Sequence, residues 1–386
     1  MSTMSIGLSM FGAMLVLMAV RVPIAISMFV PGAVGYMALA GWLPLLSHLK
    51  GAVYSRVSIY DLSVIPLFML MGAFAVHGGL SKALFDFANA LLGRFKGGMA
   101  MAGVLACAAF GSISGSTVAT TATIAQVAYP EMRRINYSGR LATAALATGG
   151  TMGVLLPPSV TLMVYAILTE QNITKMFLAA YIPALLAAVG YLIAIAVIVR
   201  IHPDQAPQAK AASANEVMAS AMNVWPIAAI FLVVFGGIYG GVFTATEGAA
   251  IGNVLTFAIT LLRREMTFDK LVASIRTTAQ TSGMIFLIFI GADMINASLA
   301  LSQLPAQLAD MVGHLQISPL VVMAGIMIFY IILGCVMDEM SMILLTVPTL
   351  FPVILGMDFF GLNPSDKSLW FGILILTVCE IGMIFP

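Results

Sequence analysis

GSISGSTVATTAT, from Gly111 to Thr123, holds seven Ser and Thr and lies at the centre of Gly97 to Pro130, thirty-four residues without a formal charge. One helix crosses hydrocarbon in about 20 residues, and a pair of half-crossing arms needs about the same again for the return. An uncharged run of this length with a Gly/Ser break in its middle suits a hairpin that enters the membrane and leaves by the same side. Backbone freed at the break must be satisfied inside protein or at a bound ion, because lipid offers no hydrogen bonds. The competing reading is one long helix whose Ser and Thr bond back to their own carbonyls, followed by a tail.

The surrounding composition fits a membrane setting. Of 386 residues, 61% are apolar and 9% charged, and mean hydropathy is +1.05, whereas about a quarter of a soluble domain is charged. The chain reads as an all-α polytopic membrane protein. Its net charge of +1 is scattered between apolar runs, which gives no footprint for nucleic acid. Cys107, Cys335 and Cys379 lie in apolar runs without CxxC spacing and read as core residues, with neither disulfide nor metal expected. No signal peptide is evident, so the first helix is expected to direct its own insertion.

Outward from the central stretch, residues 1–96 read as scaffold helices with an interfacial arm. Residues 4–20 can span, and Arg21 and Pro23 separate them from a second uncharged run, Val22 to Leu49. His48 to Asp61 mixes charge with apolar positions in the manner of an interfacial helix, a crossing follows at 62–78, and Ser81 to Phe95 is amphipathic again. Residues 97–169 hold the hairpin at 97–130 and a broken helix at 141–169, where Gly149, Gly150, Gly153, Pro157, Pro158 and Ser159 interrupt an uncharged run. Between them Arg133, Arg134 and Arg140 form the densest basic loop and point to the cytoplasm.

Residues 170–276 read as scaffold: a crossing at Met176 to Val199, a linker at 200–216, a crossing at 223–241 anchored by Trp225 and Pro226, a helix at Thr244 to Leu262, and a second interfacial arm at Thr267 to Arg276. Residues 277–386 begin with a span at Ser282 to Leu299 carrying Asp293 and Asn296, then a polar connection from Gln303 to Gln316. They go on to repeat the features of the opening stretch. Ile317 to Asp358 is broken by GCVMDEMS, and residues 368–386 form a second interrupted segment that ends in CEIGMIFP. Gly382 to Pro386 shares G-x-x-x-P spacing with Gly153 to Pro157, and Gly111 to Pro157 spans 46 residues against 52 from Gly334 to Pro386. Two inverted-topology repeats, each with a re-entrant hairpin and a broken transmembrane helix, point to a secondary transporter.

Such breaks offer carbonyls and hydroxyls that suit Na⁺, and amide donors that suit a carboxylate. The candidate ligands and close-approach positions are Gly111, Ser112, Ser114, Gly115, Ser116, Thr117, Gly149, Gly150, Gly153, Pro157, Pro158, Ser159, Gly334, Asp338, Glu380 and Gly382. The small residues among them also read as helix-packing positions. An acid in hydrocarbon costs at least ~2.5 to 3.5 kcal/mol, and Asp338 sits at the second break with no basic residue within twenty positions, so a cation or a proton is its expected partner. Glu247 and Glu380 read alternatively as caps of half-helices, Asp293 as a residue near an interface, and His48, His77, His202 and His314 as surface or interface groups. No Ser-His-Asp order, metal-ligand spacing or phosphate loop is present, which argues against an enzyme.

Together these motifs resemble the large transmembrane (DctM-like) subunit of tripartite ATP-independent periplasmic (TRAP) transporters. The likeness rests on GSISGSTVATTATI (Gly111 to Ile124), GGTMGVLLPPS (Gly149 to Ser159), GGVFTATEGAAIG (Gly240 to Gly252) and GCVMDEMSMILLTVPTLFPV (Gly334 to Val353), in this order. It implies a multi-pass protein of the bacterial inner membrane that imports a small organic acid, such as a C4-dicarboxylate or sialic acid, coupled to Na⁺. The implied partners are a DctQ-like small membrane subunit and a DctP-like periplasmic solute-binding protein, with an elevator-type transport domain. One departure is that the family's second broken helix normally carries a double Pro and continues into a further helix, whereas this sequence stops at Pro386, so the expectation is of a truncated chain. The alternatives are an ion channel, which needs lining groups along a whole pore, and a non-transporting membrane scaffold.

Overall fold

The structure is a computed structural model and describes residues 3–207, 212–307, 310 and 318–385. The described residues are helical with no strand among them. In chain order the helices are α1 (Thr3–Ala19), α2 (Ile24–Ala40), α3 (Trp42–Val57), α4 (Val64–His77), α5 (Leu80–Leu92), α6 (Gly98–Ser114), α7 (Thr117–Arg134) and α8 (Gly139–Leu155). They continue with α9 (Val160–Leu168), α10 (Ile173–Ile201), α11 (Ala214–Tyr239), α12 (Ala245–Leu262), α13 (Phe268–Leu301), α14 (Pro319–Gly334), α15 (Glu339–Gly356) and α16 (Pro364–Ile384). Among the described residues seven helices are long and apolar enough to cross a membrane, and α8 with α9, bent by 40° at their break, has the length and composition of a broken span or a re-entrant loop. The apolar helices α1, α2, α6 and α14 have 16 or 17 residues, about 25 Å at 1.5 Å per residue, short of a ~30 Å hydrocarbon core.

The chain forms two compact units, and α9 and α13 contribute to both. The first to be described comprises Ser63–Met163 and Ile173–Ala279. Its central helix is α6, which buries fifteen of its seventeen residues, so it is apolar all round because it is enclosed all round. Small side chains let its neighbours approach closely. The Ser114 and Thr120 hydroxyls bond at 2.6 Å, and a methyl built on Gly103 would lie 3.2 Å from Met132 Cε. The second pair lies further from the turn than the first on both arms, so α6 and α7 run antiparallel as the expected hairpin does.

The other unit comprises Met1–Leu62, Val164–Asn172 and Gln280–Pro386. Helix α13 is its polar hub. Ser298 donates at 2.5 Å to the carbonyl of Gly32 on α2, and a methyl on Gly32 would meet the Ile295 backbone N at 2.7 Å. Asp293 faces His48 of α3 at 3.3 Å, and the His48 ring stacks on Tyr36 at 5.3 Å. Tyr330 of α14 and Thr346 of α15 hydrogen-bond. Tyr330 stands near the end of α14 and Thr346 in the second turn of α15, which is again an antiparallel return.

Several sequence expectations change at element ends. The run Val22 to Leu49 is divided at Gly41, whose φ of +93° favours glycine, so α3 starts at Trp42 and absorbs much of the expected interfacial helix at 48–61. Ser213 and Glu216 form a capping box that starts α11 at Ala214, so Trp225 and Pro226 lie inside that helix and the linker is shorter than 200–216. The interfacial arm at 267–276 and the span at 282–299 are one 34-residue helix, α13, because no Gly, Pro or cap separates them. Asp293 and His48, expected separately near an interface, pair with each other. Cys335 is exposed, unlike buried Cys107 and Cys379. Much of the polar connection at 303–316 and the residues 208–211 lie outside the described residues.

Candidate functional site

The break between α6 and α7 is made by two residues. Gly115 turns the chain at φ +62°, and Ser116 adopts an extended conformation and accepts the Ala119 N–H at 3.4 Å as N-cap of α7. Ser112 donates to the Ala109 carbonyl at 2.7 Å, and Thr121 to that of Thr117 at 2.8 Å. These hydroxyls thus have local partners, as the packing alternative expects, while their oxygens keep lone pairs to offer. This tip meets the end of α8. A methyl on Gly115 would lie 2.8 Å from the Pro158 carbonyl oxygen, and one on Gly111 would fall inside contact distance of Gly153 Cα. A methyl on Gly149 would sit tightly against Val104 Cα at 3.0 Å, and one on Gly150 would overlap the Thr121 hydroxyl.

Helix α8 stops where the sequence breaks. Leu156 is extended at φ −87°, ψ 126°, the Pro157–Pro158 bond is cis, and buried Ser159 accepts the Leu162 N–H at 3.2 Å to start α9. Pro157 and Pro158 have no N–H, so the carbonyls of Gly153 and Val154 receive no i+4 helical donor. One unit therefore gathers Gly111, Ser114, Gly115, Ser116, Gly149, Gly150, Gly153, Pro157, Pro158 and Ser159, with Ser112 and Thr117 on the flanking turns.

The same arrangement recurs in the other unit. A methyl on Gly334, the last residue of α14, would lie 2.8 Å from Gly382 Cα, and one on Gly382 would lie 2.9 Å from the Ile331 carbonyl. Helix α16 ends at Ile384, two residues past Gly382, as α8 ends at Leu155, two past Gly153; Phe385 is then extended at φ −69°, ψ 133°. The shared G-x-x-x-P spacing acquires a physical meaning. The glycine is where the hairpin backbone crosses, and the proline four residues on withholds the donor from that glycine's own carbonyl.

Asp338 is the N-cap of α15, accepting the Ser341 N–H at 3.2 Å and the Ser341 hydroxyl at 2.5 Å. Glu380 is buried and lies in the closing turns of α16. Glu247 does cap, in a reciprocal box with Thr244 at the start of α12. Among the described residues no three His, Cys, Asp or Glu side chains converge as metal ligands; the tips offer hydroxyls, carbonyls and the neighbouring carboxylates of Asp338 and Glu339.

Sequence reasoning missed three ties in the second unit. Buried Lys367 donates to the carbonyls of Leu355, at 3.1 Å, and Met357 at the end of α15. Tyr165 donates to the Ser368 carbonyl at 2.7 Å, and Asn296 reaches Leu344. A lone Lys in an apolar region is a visible signal; a Tyr bonding across 203 residues is not.

Residues 11–386 match the family described as "Tripartite ATP-independent periplasmic transporter, DctM component". The C4-dicarboxylate TRAP transporter large permease protein DctM of Pseudomonas aeruginosa is 33% identical over 329 residues, covering 85% of this chain and 75% of that one. The isethionate TRAP transporter permease protein DctMQ of Oleidesulfovibrio alaskensis is 27% identical, over 98% of this chain and 58% of that one. Among solved structures, the YdaH transporter of Alcanivorax borkumensis shares the fold at a TM-score of 0.57 and 13% identity, over 89% of this chain and 77% of that one. With the motif order and the hairpin geometry already in place, the match over nearly the whole length settles the family: this multi-pass membrane chain belongs to the DctM component of tripartite ATP-independent periplasmic transporters.

Proposed function

We infer that the protein is a secondary transporter subunit of the bacterial inner membrane, importing a small organic acid with Na⁺ and no covalent chemistry. The observation that carries this reading is the recurring junction of a hairpin tip with a helix that ends two residues past a crossing glycine. Each junction brings a capped helix N-terminus, good for an anion, beside a helix end where a proline withholds the helical donor from the glycine carbonyl, good for Na⁺. Ser114, Ser116 and Gly153 in one unit, and separately Asp338 in the other, are the oxygens we assign to Na⁺ ions, and the amides at each tip to a carboxylate. The two junctions are read as inverted repeats, and movement of the hairpins as an elevator.

The names of two relatives, for a C4-dicarboxylate and for isethionate, support an organic anion as substrate. The word "tripartite" in the family description supports a small membrane subunit and a periplasmic binding protein as partners. The test is uptake of a labelled C4-dicarboxylate into vesicles holding this permease. Uptake is expected to need an inward Na⁺ gradient, the small subunit and the loaded binding protein. Uptake indifferent to all three, or an ion conductance without substrate, would overturn the reading.

A further inference from the structure

Pro348 lies inside α15, which continues as a helix on both sides of it. In an α-helix the N–H of residue i+4 bonds to the carbonyl of residue i, so Pro348 leaves the Leu344 carbonyl without its helical donor. Leu344 is 1% exposed, and water does not reach it to compensate. The missing donor comes from another helix: Asn296 Nδ2 on α13 donates to the Leu344 carbonyl at 3.0 Å. A carbonyl only accepts, so the amide nitrogen must face it, and this fixes the orientation of the carboxamide. Asn296 Oδ1 is then turned into a buried position with no hydrogen-bond partner among the described residues. The side chain thus tolerates an unsatisfied acceptor in order to supply one donor.

We propose that Asn296 is a positioning residue, which completes the hydrogen bond that Pro348 withholds and so holds the second hairpin arm, α15, in register on α13. The idea rests on the transport reading for its functional half and on geometry alone for its structural half. Helix α13 is well placed for such a task, because Ser298 and Ile295 pin it to α2 at backbone distance. A contrast sharpens the role. Asn253 of α12 donates to the Leu67 carbonyl at 2.7 Å, but residue 71 is Met and keeps its own N–H, so that amide replaces nothing.

The test is a double-mutant cycle of Asn296→Ala and Pro348→Ala, read both as thermal unfolding in detergent and as Na⁺-driven uptake per folded molecule. Asn296→Ala leaves a buried carbonyl unmet, and turnover is expected to fall about tenfold with KM changed less than about twofold. Adding Pro348→Ala restores the helical N–H, and turnover should return to within about threefold of the Pro348→Ala single variant. Effects of the two changes that simply add would overturn the proposal. So would an Asn296→Ala variant that loses folded protein yet keeps full turnover per folded molecule, since that is a structural role alone. If the unsubstituted protein shows no uptake under any condition, the transport reading fails, and coupling in the unfolding data still decides the hydrogen-bond half. The pair Asn253→Ala and Met71→Ala should show no such rescue.

Discussion

Asp338 accepts from both the N–H and the hydroxyl of Ser341, and two roles make different demands on it. A cap needs an acceptor of the right shape, whereas a Na⁺ ligand needs a negative charge. Asp338→Asn therefore separates them: the variant should unfold within about 0.5 kcal/mol of the parent, while the Na⁺ concentration for half-maximal uptake rises about tenfold. Asp338→Ala should in addition lose about 1 kcal/mol of stability. An Asn variant with an unchanged Na⁺ response would leave Asp338 as a cap only. At this scale the sequence is legible where the signal is local. An acid in an apolar run and a Ser three residues on are both visible, but the partners of Asn296 and Asp293 lie 48 residues away and on α3, and no spacing rule announces them.

The hairpins owe their closeness to glycine pairs. Gly111 and Gly153 touch in one unit, and Gly334 and Gly382 in the other. Gly334→Ala forces a methyl to 2.8 Å from a backbone atom and should destabilise by about 1–3 kcal/mol. Gly325 lies on the same helix, and a methyl there meets nothing within 4 Å. Gly325→Ala should leave stability unchanged or raise it by up to about 1 kcal/mol, and unfolding of the two variants side by side checks both. Break positions were readable because Gly, Ser and Pro punctuate helices directly. Helix starts were less so. The Ser213–Glu216 box announces α11 nine residues before the expected crossing, and the arm and span at 267–299 fuse because nothing in their side chains stops a helix.

For the whole molecule, composition alone placed the chain in a membrane, and the ordered motifs gave the family. The division into two units, each drawing on both ends of a long stretch of chain, was not legible, since it depends on which helices pack and not on where polar segments fall. Orientation is testable from the basic loop. Arg134 is exposed beside Glu131 at 2.9 Å, and with Arg133 and Arg140 it reads as cytoplasmic. Arg134→Cys, in a chain whose exposed Cys335 is changed to Ala, should react with an impermeant thiol reagent in inside-out vesicles and not in intact spheroplasts. The opposite pattern would invert the topology.

Helix α15 has the Asp338 carboxylate at its amino end and the Lys367 ammonium at its carboxyl end. Eighteen residues separate the two caps, about 27 Å of helix, and each opposes the partial charge of the helix terminus it touches. Glu339 stands in the first turn beside Asp338, so the ends of the helix hold two carboxylates against one ammonium. If the proposed movement carries this rod across the membrane field, a potential of 100 mV, worth about 2.3 kcal/mol per elementary charge, acts on that imbalance, and a cation that joins Asp338 reduces it. A transport rate whose voltage dependence changes with Na⁺ is the electrical signature of that arrangement.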